Sequence, residues 1–73
     1  MIEVFRTNVE CREQANRLIG EIHKNFPGYK VNFDLDDCDR ILRVVSENGS
    51  VAVSSLMSLV KNFGFSVEVL PDL

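Results

Sequence analysis

Seventy-three residues, 45% of them apolar and 26% charged, amount to one small domain with a single hydrophobic core, spanning residues 1–73. Eight Lys and Arg against 11 Asp and Glu leave a net charge of -3, which argues against a basic footprint for nucleic acid or an anionic lipid surface. Two cysteines are too few for a disulfide scaffold, so well-formed helices and strands must stabilise so short a chain.

Ile2 to Thr7 reads as a first strand, with neither an apolar secretory segment nor a run of the ~18 residues a membrane span needs. A cytoplasmic protein with reduced thiols is the expected setting. Asn8 is a residue type that caps helices. After it, Cys11, Ala15, Leu18, Ile19, Ile22 and Phe26 follow a 3.6-residue period, which predicts a helix with one apolar stripe beginning at Cys11. Glu10 and Glu13 at its start and His23 and Lys24 at its end suit the helix dipole, and Pro27-Gly28 stops it.

Tyr29, Val31, Phe33 and Leu35 then alternate with Lys30, Asn32, Asp34 and Asp36, the period of a strand with one buried and one wet face. Asp36, Asp37 and Cys38 supply a reversal into an extended, β-branched stretch from Arg40 to Ser46. Glu47 to Ser50 reads as a turn. Val53, Leu56, Val60 and Phe63 predict a second helix that Gly64 ends, and Phe65, Val67 and Val69 predict a last strand before Pro71. The Gly28, Tyr29, Val31, Phe33, Leu35 pattern is echoed by Gly64, Phe65, Val67, Val69 and, one residue early, Leu70.

The resulting order predicts an α+β, ferredoxin-like βαββαβ domain: a four-stranded antiparallel sheet in the order 4-1-3-2 with two helices on one face. Helices on one face leave the other open. There Ile41, Arg43 and Val45, joined by one of Val4 and Phe5, predict an exposed apolar cluster that would receive a protein partner or a second subunit.

Three stretches resemble the heavy-metal-associated domains of copper chaperones and metal-transporting ATPases. These are Phe26-Pro27-Gly28, Val31-Asn32-Phe33-Asp34-Leu35-Asp36, and the spacing Val51, Leu56, Val60, Gly64, Phe65. The resemblance implies the same fold. It also implies a C-x-x-C between the first strand and the first helix, since two thiolates three residues apart grip a soft ion. That pair is missing here. If Cys11 matches the first cysteine, Gln14 stands at the second; counted back from Pro27 instead, Arg12 and Ala15 occupy the two positions.

No resident cofactor is therefore expected, and the chain reads as a heavy-metal-associated-like module without the paired chelate that works by association, as a protein-interaction or regulatory unit. The alternative is a soft-metal carrier, for Cu(I) or Zn, using Cys11 with Cys38 or with a second subunit. Cys11 would stand at a helix N-terminus, where the dipole favours a thiolate. Its place on the apolar stripe points the other way, to a buried and inert thiol. His23 lies 12 residues along the helix, about 18 Å away, and cannot join Cys11. Asp34, Asp36, Asp37 and Asp39 do not form a calcium loop, because Cys38 stands at its fifth position and Val45 at its twelfth. With one histidine, no phosphate-binding Gly loop and little enclosed volume, the chain is not expected to be an enzyme. A small-ligand sensor using the pole near Phe63 to Phe65 is a further alternative.

Overall fold

The computed structural model describes residues 1–47 and 49–70, arranged as β1 (Ile2–Thr7), α1 (Arg12–Asn25), β2 (Tyr29–Asp34), β3 (Ile41–Ser46), α2 (Val53–Asn62) and β4 (Val67–Val69). The strands form one antiparallel sheet in the order β2-β3-β1-β4. This is the expected ferredoxin-like topology. Alternation turns Phe5 and Thr7, Val31 and Phe33, Leu42 and Val44, and Val67 toward the helices, where all are buried. Ala15, Leu18 and Ile22 of α1 and Leu56 and Val60 of α2 meet them. Fully buried side chains such as Leu18 or Leu42 would each cost about 2–5 kcal/mol to truncate to Ala.

The first helix begins later than the sequence suggests. Asn8 does not cap it; the Asn8 side-chain oxygen accepts the Ser66 N–H at 2.8 Å instead, and Cys11 is the N-cap residue with an extended backbone (φ -133°, ψ 159°). Cys11 is therefore exposed, which overturns its place on the buried stripe, and Val9 fills the core position at that end. Its spacing from Ala15 matched the helical period only by extending that period past the first helical residue.

The second helix ends as its glycine predicts. Gly64 has φ +91°, its N–H donates to the Lys61 carbonyl (2.9 Å), and the Phe65 N–H reaches the Val60 carbonyl (3.4 Å), the paired bonds of a Schellman motif. Phe65 packs on the core, whereas Phe63, expected on the buried stripe, is 40% exposed because it stands at the C-cap. Gly28 has no positive φ, so the internal echo extends to the strands but not to the glycines. β4 is shorter than expected, beginning at Val67, and the expected stop at Pro71 and the Asn48 of the expected turn lie outside the described residues.

The open face carries Ile2, Val4 and Arg6 from β1, Ile41, Arg43 and Val45 from β3, Lys30, Asn32 and Asp34 from β2, and Glu68 from β4. Of Val4 and Phe5, it is Val4 that lies on this face. The apolar cluster is smaller than expected: Ile41 is only 8% exposed although it lies outside the core, and Val4 and Val45 are half-buried. Ile41 sits in register between Arg6 and Asp34, and Arg6 is held at that end of the sheet by Asp39 (3.2 Å) and Glu68 (3.7 Å). Long arginine stems shield apolar surface in this way. Ile2, at 58% exposure, is the large apolar side chain most open on this face.

Candidate functional site

Three connections meet at one pole of the domain: the β1–α1 loop, the β2–β3 hairpin and the α2–β4 turn. The Thr7 N–H donates to the Asp39 carbonyl (3.2 Å), and the buried Thr7 hydroxyl donates to the Arg40 carbonyl (2.7 Å) while accepting the Val9 N–H (3.3 Å). Arg40 Nη1 in turn spans to the Val9 and Glu10 carbonyls, each at 3.4 Å. The hairpin is thus tied to the loop that carries Cys11. Asn8, bonded to Ser66, adds the third connection.

Within the hairpin, the Asp37 carboxylate accepts the Asp39 N–H (2.9 Å), and the Asp37 carbonyl accepts the Arg40 N–H (3.0 Å). This tight reversal leaves Arg40 with φ +47°, a left-handed conformation that is costly for a side chain with a Cβ. It also gathers ligand atoms of Asp37, Cys38 and Asp39 within 4.8 Å of one another. Asp34, Asp36 and Cys11 are not in that group, and Asp39 is already engaged by Arg6.

Both cysteines are exposed and stand on loops of the same pole, as the topology predicts. The positions that matter for a chelate are occupied differently. Gln14 Oε1 accepts the Glu10 N–H (3.1 Å), closing the loop just before Cys11 with a neutral amide. A capping box makes a similar reach back from the third helical residue. On the other alignment, Ala15 is fully buried and Arg12 Nη2 reaches out to the Phe33 carbonyl (3.4 Å). Neither alignment puts a second sulfur beside the first. The sequence misses this role for Gln14 because it starts the helix after Asn8; only the observed start at Arg12 makes Gln14 the third helical residue.

Elsewhere, Asn25 and Phe26 with Ser55, Ser58, Asn62 and Phe63 line a shallow groove of about 490 Å³ on the helical side. Its lining mixes amides and hydroxyls with aromatic edges and brings no charged group. No helix is long and apolar enough to cross a membrane among the described residues.

No family model matches the chain, and no curated protein matches it in sequence. The fold has a solved counterpart in the yeast copper transporter domain CCC2A, determined in solution in apo and Cu(I)-loaded states. The two agree with a TM-score of 0.77 over 99% of this chain and 97% of that one, at 19% identity. At that identity the likeness is one of fold alone: the two chains share the βαββαβ architecture.

Proposed function

We propose that the domain is a heavy-metal-associated-like module, without catalytic activity, that works by protein association rather than by carrying an ion on a two-thiol chelate. The observation that carries this reading is the Gln14 to Glu10 bond, which supports the loop in the absence of a second cysteine. The acidic balance and the mixed apolar and charged open face suit a protein partner better than a nucleic acid.

Cu(I) titration of the reduced chain against a competing chelator tests it. Uptake no tighter than micromolar is expected. Tight binding by the natural chain, abolished in Cys11→Ser, would overturn it in favour of a soft-metal carrier. That second reading draws on one specific observation, the exposure of Cys11 and Cys38 at one pole, where a second subunit or an incoming ligand could complete the coordination.

A further inference from the structure

β2 is an edge of the sheet, and the direction of its backbone groups follows from a contact at the far end of β3. The Met1 nitrogen donates to the Ser46 carbonyl (2.7 Å) and the Ser46 N–H donates to the Met1 carbonyl (2.8 Å), so the polar groups of Ser46 point toward β1. Antiparallel alternation turns those of Val45, Arg43 and Ile41 toward β2, where they meet Lys30, Asn32 and Asp34. The N–H and C=O groups of Val31 and Phe33 therefore face outward. Of these four, only the Phe33 carbonyl has a partner among the described residues, the long 3.4 Å bond from Arg12.

We propose that this edge pairs with the same edge of a second copy of the chain, antiparallel, with the two-fold axis at Asn32. The strand is complementary to itself. In that register Lys30 stands opposite the partner's Asp34, and Asp34 opposite the partner's Lys30. Asn32 meets the partner's Asn32 on the axis. On the helical side Val31 opposes the partner's Phe33, and Tyr29 opposes the partner's Leu35, so every pair is matched in kind. The outward groups of Val31 and Phe33 then form the ladder bonds, which makes Lys30 and the partner's Asp34 a non-hydrogen-bonded pair, the type with the closer side chains. A two-residue slip in either direction breaks the match of Lys30 to Asp34. Within one chain Asp34 has no ion pair among the described residues, whereas Lys30 already holds Glu47 at 2.7 Å and would bridge two carboxylates. Arg12 must release the Phe33 carbonyl on pairing, so it guards the edge in the free chain.

This inference rests on the association reading and names its partner as a second copy. Sedimentation equilibrium of the whole chain, from micromolar to millimolar concentration, tests it. A reversible dimer is expected, weakened about tenfold or more by Lys30→Asp and likewise by Asp34→Lys, and restored in the double variant, where the two charges have exchanged places. Both substituted positions are exposed, and circular dichroism checks that each of the three variants remains folded. A chain that stays monomeric throughout, or a dimer indifferent to both single reversals, would overturn the edge pairing. If Ile2→Glu on the open face dissolves the dimer and the edge reversals do not, the edge is wrong while association stands. Tight copper uptake would instead remove the association reading itself.

Discussion

Gln14 and Glu10 are joined across the first turn of α1, the side-chain oxygen of one accepting the backbone N–H of the other at 3.1 Å. The bond ends where a chelating pair would require a sulfur. Cys11 is the N-cap and Gln14 the third helical residue, so both side chains rise from the same short arc at the helix N-terminus. Gln14→Cys should therefore create a two-thiol site. Linking a second ligand to the first raises Cu(I) affinity by about 10²–10⁴-fold over the natural chain, measured by competition with a chelator. The same change should cost about 0.5–1.5 kcal/mol of stability in the metal-free state, the net value of one hydrogen bond. Unchanged copper affinity in Gln14→Cys would mean that the loop is not shaped to converge two sulfurs.

Cys11 is a poor cap. Its side chain makes no capping bond, although its backbone already has the extended conformation that a capping residue adopts. Cys11→Ser should place a hydroxyl oxygen within reach of the unsatisfied N–H groups of the first turn and stabilise the domain by about 0.5–1 kcal/mol in urea unfolding. A thiol reagent should label two groups per natural chain under native conditions, since both cysteines are exposed. One group labelled without denaturant would contradict that exposure.

Arg40 carries two opposed effects that substitution can separate. Its backbone is left-handed, and its guanidinium ties the hairpin to the loop before Cys11 through two long bonds. Arg40→Ala loses the bonds and keeps the strain, whereas Arg40→Gly loses the bonds and relieves it. The glycine variant should be more stable than the alanine variant by about 1 kcal/mol in urea unfolding. Equal stabilities would show that the turn relaxes when the side chain is removed.

What was legible in the sequence is local. The alternation from Tyr29 to Leu35 and the Gly64 that ends α2 each depend on neighbours within a few residues, and both elements stand where periodicity and C-cap chemistry put them. The errors that reshape the site and the open face are long-range. Asn8 looks like a cap, yet its oxygen is claimed by Ser66, 58 residues away, and this shifts the helix start and brings Cys11 into solvent. Ile41 belongs to the open face by parity, yet it is shielded where Arg6 is drawn to Asp39 and Glu68. The missing chelate was legible as a spacing. The bond that stands in its place required coordinates.

The contact between Lys30 and Glu47 gives the domain a defined acid response. Their 2.7 Å hydrogen bond, and then the attraction between the charges, hold the Glu47 carboxyl below its ordinary value of 4.5 and the Lys30 ammonium above its ordinary 10.5. Because the folded-state value of Glu47 is depressed, its contribution is fully present above pH 4.5 and is lost as the pH falls through the depressed value. For Lys30 the folded-state value is raised, so its contribution is present below pH 10.5 and is lost as the pH rises through the raised value. Both groups are exposed, so solvent and salt screen the pair, and the effect on Tm near neutral pH should be small. The decisive measurement is a carboxyl titration by NMR at low ionic strength. Glu47 should titrate below its ordinary value of 4.5 in the natural chain and return toward that value in Lys30→Met. A Glu47 titration that Lys30→Met leaves unmoved would show that the ion pair does not persist in solution.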